Sequence, residues 1–135
     1  MFSCQTPELQ NSDRSLRTEW LECNGTGDYA SGTITGCNSR RYHGLLVANL
    51  DHIGRHVLLS GMEDWLVTEN GRIPLSSRKH PNAIYPDPSG SLKTFSASPY
   101  PTFVFEGPGF RLTRSLMLVR DRHTVLIRYS LKKTD

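Results

Sequence analysis

The stretch Tyr100–Leu131 reads YPTFVFEGPGFRLTRSLMLVRDRHTVLIRYSL, and it decides the fold class. Two turn signals, GPG at 107–109 and RDRH at 120–123, divide it into three apolar runs. In the second run Phe110, Leu112, Leu116 and Leu118 fall on one face of an extended chain. In the third, Val125, Ile127, Tyr129 and Leu131 do the same. Alternation with period two marks a strand, because successive side chains leave opposite faces of the pleat. Short turns between such runs make antiparallel neighbours, so the stretch predicts a three-strand meander.

Upstream, EDWLVTENGRIPLSS at 63–77 holds a second hairpin signal. Asn70 and Gly71 both tolerate positive φ and sit between two short β-type runs. Pro74 has no amide to donate and belongs at an edge or bulge. From Ser76 to Pro101 five prolines and several serines predict an irregular excursion with a short strand near Leu92–Ala97. No amphipathic helix of ten or more residues is visible. The fold class is all-β, an antiparallel β-sandwich. Residues 1–15 read as a loose polar leader, and 16–135 as one domain. The chain stops four residues after Leu131, in KKTD, so this domain is expected to be incomplete.

The chain has 135 residues, 36% hydrophobic and 21% charged, with a net charge of +3. That fits one globular domain. The charge is too small to imply a nucleic-acid partner, which leaves a dense basic patch. No run of about 18 apolar residues exists to cross a membrane, and the N-terminus lacks the layout of a secretory signal. Cys4, Cys23 and Cys37 are odd in number and widely spaced, which argues against a disulfide framework and for a reducing cytoplasm. Asn24-Gly25-Thr26 forms a glycosylation sequon, read here as a turn.

Each candidate chemistry meets an obstacle in its spacing. Gly25-Thr26-Gly27-Asp28-Tyr29-Ala30 fits a dinucleotide fingerprint, but a β-rich SGTITG follows where a helix must open. Gly27–Thr33 resembles a phosphate loop with Thr33 where its lysine belongs. His52 and His56 have ligand spacing, yet Cys23 and Cys37 are too far apart for a zinc finger; the histidines read as a polar loop near Gly54. No G-x-S-x-G elbow exists. Glycoside hydrolysis needs two facing carboxyl groups. Glu63 and Asp64 are adjacent on a predicted strand and point apart, while Glu19 and Glu22 flank Trp20 as ordinary surface residues. The sequence predicts no catalytic pair, no metal site and no cofactor.

What remains is Arg40-Arg41-Tyr42-His43. Arginine presents a planar fork of donors and stacks on rings. Tyrosine offers a ring face and a hydroxyl, and histidine a donor and acceptor that titrate near neutrality. Gly25, Gly27, Gly32 and Gly36 precede this run and shape the loop that carries it. Either arginine alone is explained by pairing with an acid of the same domain. The whole run predicts a ligand or interface role.

The segment EWLECNGTGDYASGTITGCNSRRYHGLLVANL, Glu19–Leu50, resembles the opening of the N-terminal domain of prokaryotic-type glycogen debranching enzymes, the amylo-α-1,6-glucosidases. GRHVLLSGMEDWLV, PYPTFVFE and HTVLIRYSL extend the resemblance to about Leu131. Asp28 departs from the family pattern, which has glycine there; Ser39 and Cys37 are milder departures. The resemblance implies a large β-sandwich preceding an (α/α)-barrel that supplies the catalytic acids. It implies docking on that barrel, an α-glucan substrate shared with it, and a cytoplasmic role in glycogen breakdown. Arg40, Arg41, Tyr42 and His43 are then expected to meet the barrel or line the outer glucan cleft. The alternative is a free-standing sandwich that binds glucan or protein without chemistry. Alone, the chain is expected to be inactive and, through unpaired strand edges, to oligomerise.

Overall fold

The computed structural model describes residues 3–135. In chain order the elements are β1 (Ser3–Gln5), α1 (Thr6–Gln10), α2 (Ser12–Ser15), β2 (Glu19–Cys23), β3 (Tyr29–Thr33), β4 (Gly44–Leu50), β5 (Gly54–Leu59), β6 (Trp65–Thr68), β7 (Gly71–Pro74), β8 (Lys79–His80), β9 (Ala83–Ile84), β10 (Leu92–Ser96), β11 (Thr102–Gly107), β12 (Phe110–Leu118) and β13 (Val125–Lys133). Two antiparallel sheets, β1-β10-β11-β12-β13 and β2-β3-β4-β5, share one apolar core, and β6-β7 and β8-β9 are small hairpins. The protein is an all-β sandwich.

The predicted meander is β11-β12-β13. Phe110, Leu112, Leu116 and Leu118 are all buried. Register places Val125 beside Leu118, Ile127 beside Leu116 and Leu131 beside Leu112, so the expected face of β13 adjoins that buried row. Its burial fades along the strand: Val125 and Ile127 are half-buried, and Leu131 is exposed. β13 is the sheet's edge and has cover only near its start. The Asn70-Gly71 turn joins β6 to β7, where Pro74 faces Trp65 on a strand with one neighbour. The short strand of the proline-rich excursion is β10.

The two sheets meet at Trp20 of β2 and Phe103 of β11, whose rings pack edge to face 6.2 Å apart. Trp20 keeps its indole N–H satisfied by donating to the Thr33 carbonyl at 2.9 Å, as a buried indole requires. Phe95 stacks obliquely on Phe103 at 4.9 Å.

The N-terminal segment differs from the loose leader expected. β1 adds an edge strand to β10, with Cys4 opposite Phe95, and Leu9 of α1 enters the core at 2% exposure. One leucine and one cysteine among polar neighbours are too few to show periodicity, and α1 is only five residues long. Tertiary packing fixes this segment, not local preference.

Two smaller expectations also need correcting. Glu63 and Asp64 lie in the link before β6, not on a strand, because pairing begins only at Trp65. They nonetheless diverge: Glu63 faces Arg78 at 3.9 Å while Asp64 turns inward. His56 sits on β5, not in a loop, with Nδ1 3.1 Å from the Gly54 carbonyl.

Candidate functional site

Arg40–His43 forms a tight turn, closed by the His43 N–H donating to the Arg40 carbonyl at 3.1 Å. That places Arg41 and Tyr42 at the two corners, both exposed. The flanking residues anchor the turn to β2. The Arg40 guanidinium pairs with Glu19, the first residue of that strand. His43 is buried, so the four residues do not form one exposed tip. Its Nδ1 accepts the Ser39 N–H at 3.0 Å. The neutral ring therefore carries its proton on Nε2, which lies 3.6 Å from Glu19 Oε1. Burial pulls the His43 pKa below its ordinary value; Glu19 opposes that shift and Arg40 reinforces it.

Cations and rings alternate outside this frame. Arg41 stands over the Tyr42 ring at 5.5 Å, and Arg55 of β5 stands over Tyr42 at 5.5 Å and over Tyr29 at 5.6 Å. The Tyr29 hydroxyl donates to the Tyr42 carbonyl at 3.2 Å, which ties β3 to the turn. No carboxylate among the described residues pairs with Arg41 or Arg55 within 4.0 Å. Stacking on rings holds their planes while leaving their N–H edges available. An open depression of about 310 Å³ adjoins the turn, lined by Glu19, Tyr29, Tyr42 and His43 among others.

The glycines expected to shape the loop divide by position. Gly25 and Gly27, with φ of 83° and 105°, make the β2–β3 turn, and β3 follows instead of a phosphate-binding helix. Gly36 is a turn residue before Cys37, whereas Gly32 lies within β3 against Trp20. The segment from Asn24 to His43 is thus one turn before β3 and two turns after it. Among the described residues no three His, Cys, Asp or Glu side chains cluster to hold a metal.

A family model described as glycogen debranching enzyme N terminal matches residues 18–135. The chain belongs to the glycogen debranching enzyme N-terminal family. No curated protein and no solved structure matches it. The match begins at the residue before β2, so the matched region includes β2 to β13 and holds the whole Arg40–His43 turn. In this family member Asp28, the departure from the glycine pattern, does not use positive φ. It is a buried acceptor instead: it takes the Asn49 N–H at 2.9 Å and the Asn24 side-chain amide at 3.2 Å, with His123 Nδ1 at 2.7 Å.

Sequence reasoning missed a second constellation, Arg114, Asp64 and Tyr129. Arg114 occupies the alternate position between Leu112 and Leu116, on the core face of β12. Its Nη1 donates to both Asp64 oxygens, at 3.1 and 2.9 Å, and to the Leu75 carbonyl at 2.8 Å. The guanidinium lies 4.7 Å from the Phe103 ring centre. Tyr129, opposite Arg114 on β13, donates to Asp64 at 2.7 Å. Partial burial, then the Asp64 carboxylate, push its phenol well above the ordinary range, so it stays a donor. The readable signal was a cation inside an apolar alternation.

Proposed function

We propose that this domain is a non-catalytic part of a glycogen debranching enzyme that docks on the catalytic domain through the Arg40–His43 turn and helps shape the cleft for α-1,6-branched glucan. The observation that carries the reading is the pair Arg41 and Arg55: exposed, stacked on Tyr42 and Tyr29, and without an acidic partner within 4.0 Å among the described residues. A partner surface bearing carboxylates, or hydroxyl-rich glucan at its rim, would complete their donor set. His43 and Glu19 act as positioning residues for the turn, not as reacting groups. On this reading the bond-breaking acids belong to the other domain; in the depression beside the turn the carboxylate is Glu19, which Arg40 already engages. The reading places the protein in the cytoplasm, in glycogen breakdown.

The test is the double substitution Arg41→Ala/Arg55→Ala in a full-length debranching enzyme that carries this domain. Weakened association of the two domains, or a raised KM on branched glucan, is expected. Unchanged activity and unchanged unfolding would overturn the proposal. The isolated chain should release no glucose from branched glucan, and hydrolysis by it would sink the division of labour. Binding of glucan by the isolated chain through this turn would favour the free-standing module instead.

A further inference from the structure

Strand β13 is nine residues long, stands last in the order β1-β10-β11-β12-β13, and has no buried residue. The other free edges of the two large sheets are shorter: β1 has three residues, β2 five and β5 six. Folded proteins blunt such edges with proline, bulges, short strands or charges that point inward. β13 has no proline or glycine, and its register with β12 runs unbroken from Val125 to Lys133. Of the residues on its core face, Val125, Ile127, Tyr129, Leu131 and Lys133, only the last is charged.

Hydrogen bonds at the two ends of the β12–β13 ladder show which backbone groups are free. The Val119 N–H donates to the Thr124 carbonyl at 2.9 Å, and the Thr134 N–H donates to the Gly109 carbonyl at 3.1 Å. Antiparallel partners bond at every second pair. The register does not shift between these ends, so Leu126, Arg128, Ser130 and Lys132 also turn their backbone groups toward β12. The N–H and C=O groups of Val125, Ile127, Tyr129, Leu131 and Lys133 therefore face outward. No strand among the described residues takes them up.

We infer that this edge pairs with β13 of a second copy of the chain, antiparallel about a two-fold axis at Tyr129. The outward groups allow that axis: Tyr129 meets Tyr129, Ile127 meets Leu131, and Val125 meets Lys133, so the whole strand is paired. Such an interface is self-complementary, as two-fold symmetry requires. On the outer face Arg128 meets Ser130 and Leu126 meets Lys132, so no like charges are opposed. Moving the axis one residue back sets Arg128 against Arg128, and one residue forward sets Arg128 against Lys132. Like charges directly opposite are destabilising. Moving it two residues either way shortens the ladder. The register at Tyr129 also seats Leu131, 56% exposed, beside the half-buried Ile127 of the second copy. This surface shares no residue with the Arg40–His43 turn, and the inference does not rest on the docking proposal.

Sedimentation equilibrium of the 135-residue chain, from micromolar to millimolar concentration, measures the association. A reversible dimer of twice the 15.2 kDa chain mass is expected. Residue 130 reads the register, because by symmetry Ser130 meets Arg128 twice in each dimer. Ser130→Glu should tighten the dimer about fivefold and Ser130→Arg should weaken it about fivefold, the scale of two cross-strand charge pairs. Leu131→Pro should give a monomer with the β12–β13 ladder intact, since the N–H it removes points outward. If that variant fails to fold, the two substitutions at Ser130 decide alone. In hydrogen exchange the amides of Ile127, Tyr129 and Leu131 should gain protection as concentration rises, while those of Arg128 and Ser130 are protected throughout. Arg41→Ala/Arg55→Ala should dimerise like the parent, so failure here and failure of the docking proposal are separable. A monomer at every concentration, which would leave the edge to a strand of a different protein, overturns the inference. A dimer that Ser130→Glu and Ser130→Arg leave unchanged, or shift in the same direction, overturns it as well.

Discussion

Arg114 and Asp64 lie 50 positions apart in the chain and meet at 2.9 Å, each side chain only 13% exposed. The pair joins the core face of β12 to the link before β6. A cation inside an apolar row is tolerable only with a counter-charge, so Asp64→Ala should destabilise the domain by about 3 kcal/mol by leaving Arg114 unpaired. Urea unfolding measures this. Replacing both residues with leucine should cost less than Asp64→Ala alone; a larger loss for the double variant would refute the account.

The buried His43 predicts a pH dependence with a definite sign. Its folded pKa is depressed below the ordinary 6.5, so the unfolded chain takes up the proton first. The stability this provides is fully present above the unfolded value and is lost as pH falls from about 6.5 through the folded value. Melting temperature should therefore drop on acidification below pH 6.5, and His43→Gln should flatten that slope. An identical slope in the variant would show that other groups carry it.

Asp28 offers a test of local context against family pattern. It is 1% exposed and joins the β2–β3 turn to β4 and to the β12–β13 turn through Asn49 and His123. Asp28→Gly restores the glycine of the family pattern yet should destabilise this chain by about 2 kcal/mol, the scale of hydrogen bonds to a charged group. Thermal unfolding decides it, and a stabilised variant would contradict the role given to the carboxylate.

Leu9 probes whether the N-terminal segment belongs to the fold. Leu9→Ala should cost about 2–4 kcal/mol, as for a leucine buried in a close-packed core. A loose leader would show no change in chemical denaturation.

How much of this was legible depended on how local each signal was. The β11–β13 meander and the Asn70-Gly71 hairpin could be read because period-two alternation and turn chemistry are encoded within a few residues. Arg114 and Asp64 could not be paired, because nothing in either local sequence specifies a contact across 50 residues. Arg114 does not stand out in sequence because it is a polar member of an otherwise apolar alternating row. Gly32 reads in sequence like its turn-forming neighbours, although in β3 its work is to make room beside Trp20. His43 shared a run with three exposed residues, and only the turn geometry shows that the chain folds it under.

The closure of the Arg40–His43 turn has a practical consequence. Its ends are fastened from below, by Glu19 to Arg40 and by Ser39 to His43, and Tyr42 is tied through its backbone carbonyl to Tyr29, while the Arg41 and Tyr42 side chains meet their neighbours by stacking. Those two corner positions form an exchangeable cassette: side chains can be swapped there to retune what the surface recognises, with the supporting frame left intact.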